Sequence, residues 1–100
     1  MFAQVMQASV SSTDRAELRG IVREQLIPAL QQEAGFRGAI GLIEPGTGRA
    51  MMIALWDREE QAAARPATRG GEFSRVFAEV ELLCAGHDPE FSTWQVGIEL

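Results

Sequence analysis

Trp56 and the arginines that follow it, Arg65, Arg69 and Arg75, are the residues of this chain best suited to hold a planar or anionic molecule. An indole stacks on a flat ring, and a guanidinium offers a planar fork of donors to a carboxylate or phenolate. Each has a second reading. Trp56 would also serve as the core anchor of a strand-to-helix corner, and the arginines as solvated surface charge. Phe73 and Phe77, four residues apart, complete the candidate ligand contacts. Gln4 and Gln7 are the polar side chains with reach on the first apolar segment. One of them either points into a cavity and donates to a ligand carbonyl or pairs at a sheet edge; Gln7 is the candidate. His87 and Cys84 are the only histidine and the only cysteine. A metal site needs three or four ligands and nothing supplies the rest, so no metal is expected. His87 reads as a polar loop residue before Pro89, and Cys84 as a buried, inert thiol. Gly46-Thr47-Gly48 lacks the strand-to-helix context of a phosphate loop, and no cofactor is expected.

The chain that carries these residues has 100 of them, 46% apolar and 23% charged, which suits one soluble domain spanning 1–100. All nine basic residues are Arg, scattered singly, against fourteen acidic ones, for a formal charge of −5. Such a protein repels a phosphate backbone, so nucleic acid is not an expected partner. The longest uncharged apolar stretch, Ala50 to Trp56, is about a third of a membrane span. The first residues show no basic stretch before an apolar run. Neither membrane nor secretion is expected, and the expected location is the cytoplasm.

The elements that must position the candidates follow from spacing. Phe2 to Val10 is a predicted strand. Ser11 to Asp14 starts a helix whose apolar stripe is Leu18, Ile21, Val22, Leu26, Ala29 and Leu30. Pro28 should kink or loosen its last turns, and Gly35 should end it as a left-handed cap. Phe36 to Ile43 and Arg49 to Trp56 form a hairpin around a glycine-containing turn. Asp57 and Glu60 have the spacing of a capping box for a second helix. Pro66 and Gly70-Gly71 interrupt that helix, and the stretch from Pro66 to Gly71 could serve as a lid or a plain loop. Helix resumes through Phe73, Val76, Phe77, Val80 and Leu83. Thr93 to Leu100 is the predicted last strand. The order is βαββαβ, an α+β ferredoxin-like arrangement with a four-stranded antiparallel sheet. The hairpin strands are apolar at odd and even positions alike, which predicts cover on both faces. Two helices cover only one, so a second copy of the chain is expected on the other, giving a homodimer.

Several features resemble the antibiotic-biosynthesis monooxygenase family of the dimeric α+β barrel superfamily: Leu26-Ile27-Pro28 late in the first helix, Ala34-Gly35-Phe36 opening the second strand, Trp56-Asp57-Arg58-Glu59-Glu60-Gln61-Ala62 at the end of the third strand, and the Phe73 helix. The resemblance implies that two sheets face each other in a dimeric barrel, with a ligand cavity in each subunit. The haem-degrading branch uses a Trp and a His on its second helix and an Asn on its first strand. This chain lacks that set, which speaks against haem. The cofactor-free oxygenases use Asn, Trp, Tyr and Arg, of which Trp56 and a second-helix Arg are present. The implied function is a small cofactor-independent monooxygenase acting on a planar phenol- or quinol-type molecule. The alternative is a non-catalytic dimeric module that binds a small hydrophobic metabolite.

Overall fold

The computed structural model of the protein describes residues 1–98, the His87 side chain excepted. The elements run β1 (Phe2–Ser9), α1 (Arg15–Ile21), a π-helical segment (Val22–Leu26), α2 (Ile27–Gln31), β2 (Phe36–Ile43), β3 (Arg49–Trp56), α3 (Glu59–Ala63), α4 (Pro66–Arg69), α5 (Gly71–Leu82), a 3-10 turn (Ala85–His87) and β4 (Glu90–Gln95). The strands make one antiparallel sheet in the order β2-β3-β1-β4. This is the α+β ferredoxin-like arrangement that the spacing predicts.

Register sorts the side chains between the two faces, because opposed residues in an antiparallel pair share a face. Met6 lies opposite Met52 and Phe91, and Met52 opposite Gly41. This row faces the helices. The sheet contributes Met6, Ala54 and Trp56 to the core, the first helical stretch Leu26, Ala29 and Leu30, and α5 Phe73, Val76, Phe77 and Val80. Each large apolar side chain buried there stabilises the fold by roughly 1.5–3 kcal/mol. The next row runs Ile40, Ile53, Val5, Ser92 on the opposite face. No helix covers that face among the described residues. Ile40, Leu42 and Trp94 remain 57%, 52% and 60% exposed on it.

Four details differ from the sequence reading, each for a physical reason. The loosening expected at Pro28 falls one turn earlier, where the Ile27 N–H reaches the Val22 carbonyl and the ladder widens. Pro28 has no N–H for the Glu24 carbonyl and would crowd it, and the wider turn relieves that contact. The second helix is capped by Arg58, not Asp57. The Arg58 N–H donates to Gln61 Oε1 at 3.0 Å, while the Asp57 carboxylate accepts from Arg37 at 3.2 Å. Pro66 begins a helical turn, because the first position of a helix needs no N–H. β4 lies earlier than Thr93 to Leu100. Phe91 packs against the core, which draws Glu90–Gln95 into the sheet. The Val96 N–H still reaches the Met1 carbonyl at 3.0 Å, and Glu99 and Leu100 lie outside the described residues.

Candidate functional site

β3 ends at Trp56, whose indole is wholly buried where the chain turns toward α3. Three neighbours frame it. Phe36 packs edge-on with ring centroids 5.5 Å apart. Arg69, at the end of α4, lays its guanidinium 4.2 Å from the indole centroid and 5.6 Å from that of Phe73. The Arg69 Nη2 donates to the carbonyl of Gln61, which ties α4 to α3. Burial pushes the Arg69 guanidinium below its ordinary pKa, and the charge of Glu33 opposes that shift.

Among the described residues, two N–H groups of this stacked pair have no partner. Trp56 Nε1 and Arg69 Nε are both buried and find no hydrogen-bond acceptor there. A buried donor left unsatisfied costs about 1–3 kcal/mol. An acceptor oxygen brought to the pair would recover that energy, and an anionic oxygen would recover more.

A small internal space of about 20 Å³ is lined by Gln4, Met52, Ala54, Pro66, Phe73 and Phe77 among others, and shares Phe73 with the surroundings of Arg69. It has room for about one water. Gln4 is buried and donates Nε2 to the Ala64 carbonyl at 2.9 Å, pinning β1 to the chain between α3 and α4. Ser74 Oγ donates to the Pro66 carbonyl from α5. The α4 turn is therefore tethered to three elements. Gly70 and Gly71, with φ of 72° and 66°, join it to α5 in a conformation that favours glycine.

Trp56, Arg69 and Phe73 thus come together, and Phe77 extends the cluster with its ring stacked 6.1 Å from that of Phe73. Arg65 sits at the rim, exposed, with its guanidinium 4.6 Å over the Phe91 ring. Arg75 does not join them. It is exposed and bound to Glu72 at 2.5 Å and Glu79 at 3.4 Å. Gln7 does not join them either. The two-residue period of β1 sends Gln4 and Met6 to the helix side, and Gln7 to the open face opposite Met51 and Glu90. Gln4 is the glutamine of the interior. Gln61, Phe36 and Phe91 belong to the cluster and were not legible as such. A capping glutamine leaves no chemical signal, and Phe91 fell outside the predicted strand.

Cys84 is buried, its thiol set against the Val80 carbonyl at 3.4 Å. Burial pushes its pKa up, with Glu81 adding to the effect. Among the described residues no three His, Cys, Asp or Glu side chains gather as a metal-binding group. Among them, too, no helix is long and apolar enough to cross a membrane.

No protein-family model matches the chain, and no curated protein matches it. Solved structures do. A conserved protein from Methanosarcina mazei Go1 superposes with a TM-score of 0.75 at 16% identity, over 94% of this chain and 90% of that one. An antibiotic biosynthesis monooxygenase gives 0.73 at 13% identity, over 96% and 98%. SnoaB, a cofactor-independent oxygenase from Streptomyces nogalater, gives 0.73 at 17% identity, over 99% and 95%. The resemblance seen in the sequence is thus a likeness of fold to the antibiotic biosynthesis monooxygenases.

Proposed function

We propose that the Trp56–Arg69 pair is the ligand-binding centre of a small monooxygenase-like protein that takes a planar phenol- or quinol-type molecule and needs no metal or cofactor. The observation that carries this reading is the pair of unpartnered buried donors, Trp56 Nε1 and Arg69 Nε, set among aromatic rings. A phenol complements both features. Its ring packs on the aromatic side chains, and its oxygen accepts from the donors. The cation holds that oxygen as the phenolate, the electron-rich form that reacts with dioxygen. For a quinol the reaction balances without a further reductant. Quinol and dioxygen give a hydroxyquinone and water, with one oxygen atom of O2 in each product. Fold likeness to a cofactor-independent oxygenase supports the reading without choosing the activity.

The internal space of about 20 Å³ is smaller than a ring. The ligand therefore enters by displacing α4, which carries Arg69 and Pro66, outward about Gly70 and Gly71. The open sheet face is assigned to a second copy of the chain. In the same reading the protein is a cytoplasmic homodimer with neither nucleic acid nor membrane as partner.

One observation favours a second reading. Gln4 is the one buried polar side chain among the described residues, so the cluster has no buried carboxylate or imidazole to move a proton. A binding module for a small hydrophobic metabolite needs none. The two are separated by titrating a naphthohydroquinone under air while recording tryptophan emission and oxygen uptake. Uptake above the spontaneous rate, lost in Arg69→Ala, is the expected result. Saturable quenching without uptake selects the module. No binding at millimolar ligand overturns both.

A further inference from the structure

A second concavity lies at the other end of the helix-covered face, between the first helical stretch and the edge strand β2. It encloses about 500 Å³, within the range of roughly 300–1,000 Å³ of small-molecule sites. Its floor is apolar, with Leu18, Val22 and Ile27 from the helical stretch and Ala39, Gly41 and Met52 from the sheet. Its rim is cationic. Arg15, Arg19 and Arg23 follow one another at intervals of four residues, which puts them along one side of the helix, and all three line the cleft. None of the three is in an ion pair among the described residues, although Arg37, Arg49, Arg58 and Arg75 all are. The Arg15 Nε is buried and has no hydrogen-bond partner among the described residues. Among the described residues no acidic side chain lines the cleft, in a chain whose formal charge is −5.

Three unpaired guanidinium groups above an apolar floor are the complement of a molecule with an anionic head and an apolar body. We infer that this cleft binds an amphipathic carboxylate, its head held by the arginine fork and its tail laid along Leu18, Val22 and Met52. The Arg15 Nε and the free faces of Arg19 and Arg23 supply directed donors. The apolar floor supplies the burial that makes a short carboxylate insufficient. The site is independent of the Trp56–Arg69 pair.

Calorimetric titration of the intact protein with decanoate tests it, against acetate, which lacks the tail, and decanol, which lacks the charge. Decanoate should bind, with acetate and decanol each weaker by about tenfold or more, as expected when burial or a charge-assisted hydrogen bond is removed. Raised salt should weaken decanoate binding. Arg19→Gln, at an exposed position, and the Arg15→Gln, Arg19→Gln, Arg23→Gln combination should reduce affinity stepwise. Gly41→Leu should also abolish binding, since a Cβ at Gly41 meets open space and its side chain would fill the cleft. Trp56→Phe and Trp94→Ser should leave decanoate binding unchanged. Decanol binding as tightly as decanoate, an unaffected triple variant, or loss of binding in Trp94→Ser would each overturn the assignment.

Discussion

Replacing Trp56 with Phe keeps an aromatic ring against Phe36 and beneath Arg69 but removes the indole N–H. If that donor serves a ligand, Trp56→Phe should fold normally and bind a naphthohydroquinone about tenfold more weakly, the loss of one hydrogen bond in a buried site. Trp56→Ala should instead lower stability by about 3–5 kcal/mol in urea denaturation, because it empties the corner of the core. Gly35 poses a different constraint. Its φ is 81°, and a Cβ there would come within 2.2 Å of the Gln61 side chain that caps α3. Gly35→Ala should cost roughly 1–3 kcal/mol, read as a fall in thermal midpoint. Cys84 tests burial through pH. Its folded pKa lies above the unfolded one, so the unfolded chain releases its proton first as pH rises. The thiol's contribution is therefore intact below about pH 8.5 and lost above it, and a thiol reagent should react with the native protein more slowly than with the urea-unfolded chain. At this scale the sequence singled out residues that the structure brings together. Trp56, Arg69 and Phe73 were legible because an indole and a guanidinium have few structural substitutes. Gln4 was confused with Gln7 because each lies on the same strand, and only the face on which Met6 is buried fixes the parity.

The stretch from Arg65 to Gly71 joins two helices through Pro66 and two left-handed glycines, and it carries Arg69 over Trp56. Its hold on the body is a handful of hydrogen bonds, those of Gln4, Ser74 and Arg69. Amide exchange should be fast across Arg65 to Gly71 in the free protein and should slow when a quinol binds. Exchange there as slow as in β1 and β3 would leave α4 a fixed structural turn and remove the lid. The β2–β3 turn offers a second test. Glu44 accepts from Thr47 at 2.5 Å and pairs with Arg49 at 2.8 Å, and these contacts hold its carboxyl down at about 2. A depressed carboxylate pKa means that the contribution to stability is present above the ordinary Glu range and fades as pH falls toward 2. In an NMR titration, Arg49→Gln should return Glu44 toward the ordinary range. Elements were the most legible level. β2 and β3 lie where the hairpin pattern places them, because both are bounded by turn glycines and a proline. β4 was not, since Trp94, Val96 and Ile98 alternate as a strand would, while burial of Phe91 sets the actual register.

An apolar sheet face with Ile40, Leu42 and Trp94 more than half exposed is the kind of surface that marks an interaction site. Light scattering should give twice the mass of one chain at micromolar concentration, and the pair Ile40→Asp with Trp94→Glu should give a folded monomer. A wild-type mass near 10.9 kDa would refute the paired-sheet arrangement. What the sequence made legible is a sheet apolar on both faces, because the hairpin strands carry apolar residues at both parities. The arginine-rimmed cleft was not foreseeable. Its two walls, the first helical stretch and β2, approach each other only in the folded molecule, and the three arginines look like ordinary surface charge along the chain.

The two tryptophans occupy opposite environments, Trp56 wholly buried beneath a cation and Trp94 60% exposed on the open face with its N–H on Ser92 Oγ at 2.8 Å. In the unpaired chain their emission bands should accordingly separate, a blue one from the interior and a red one from the surface, with acrylamide quenching the red one first. Each band watches a different event. A molecule reaching Arg69 perturbs the blue component, whereas a second chain settling on the sheet shifts the red component to shorter wavelength. Trp94→Phe and Trp56→Phe isolate the bands, so occupancy of the interior and coverage of the sheet can be followed in one cuvette without any added label.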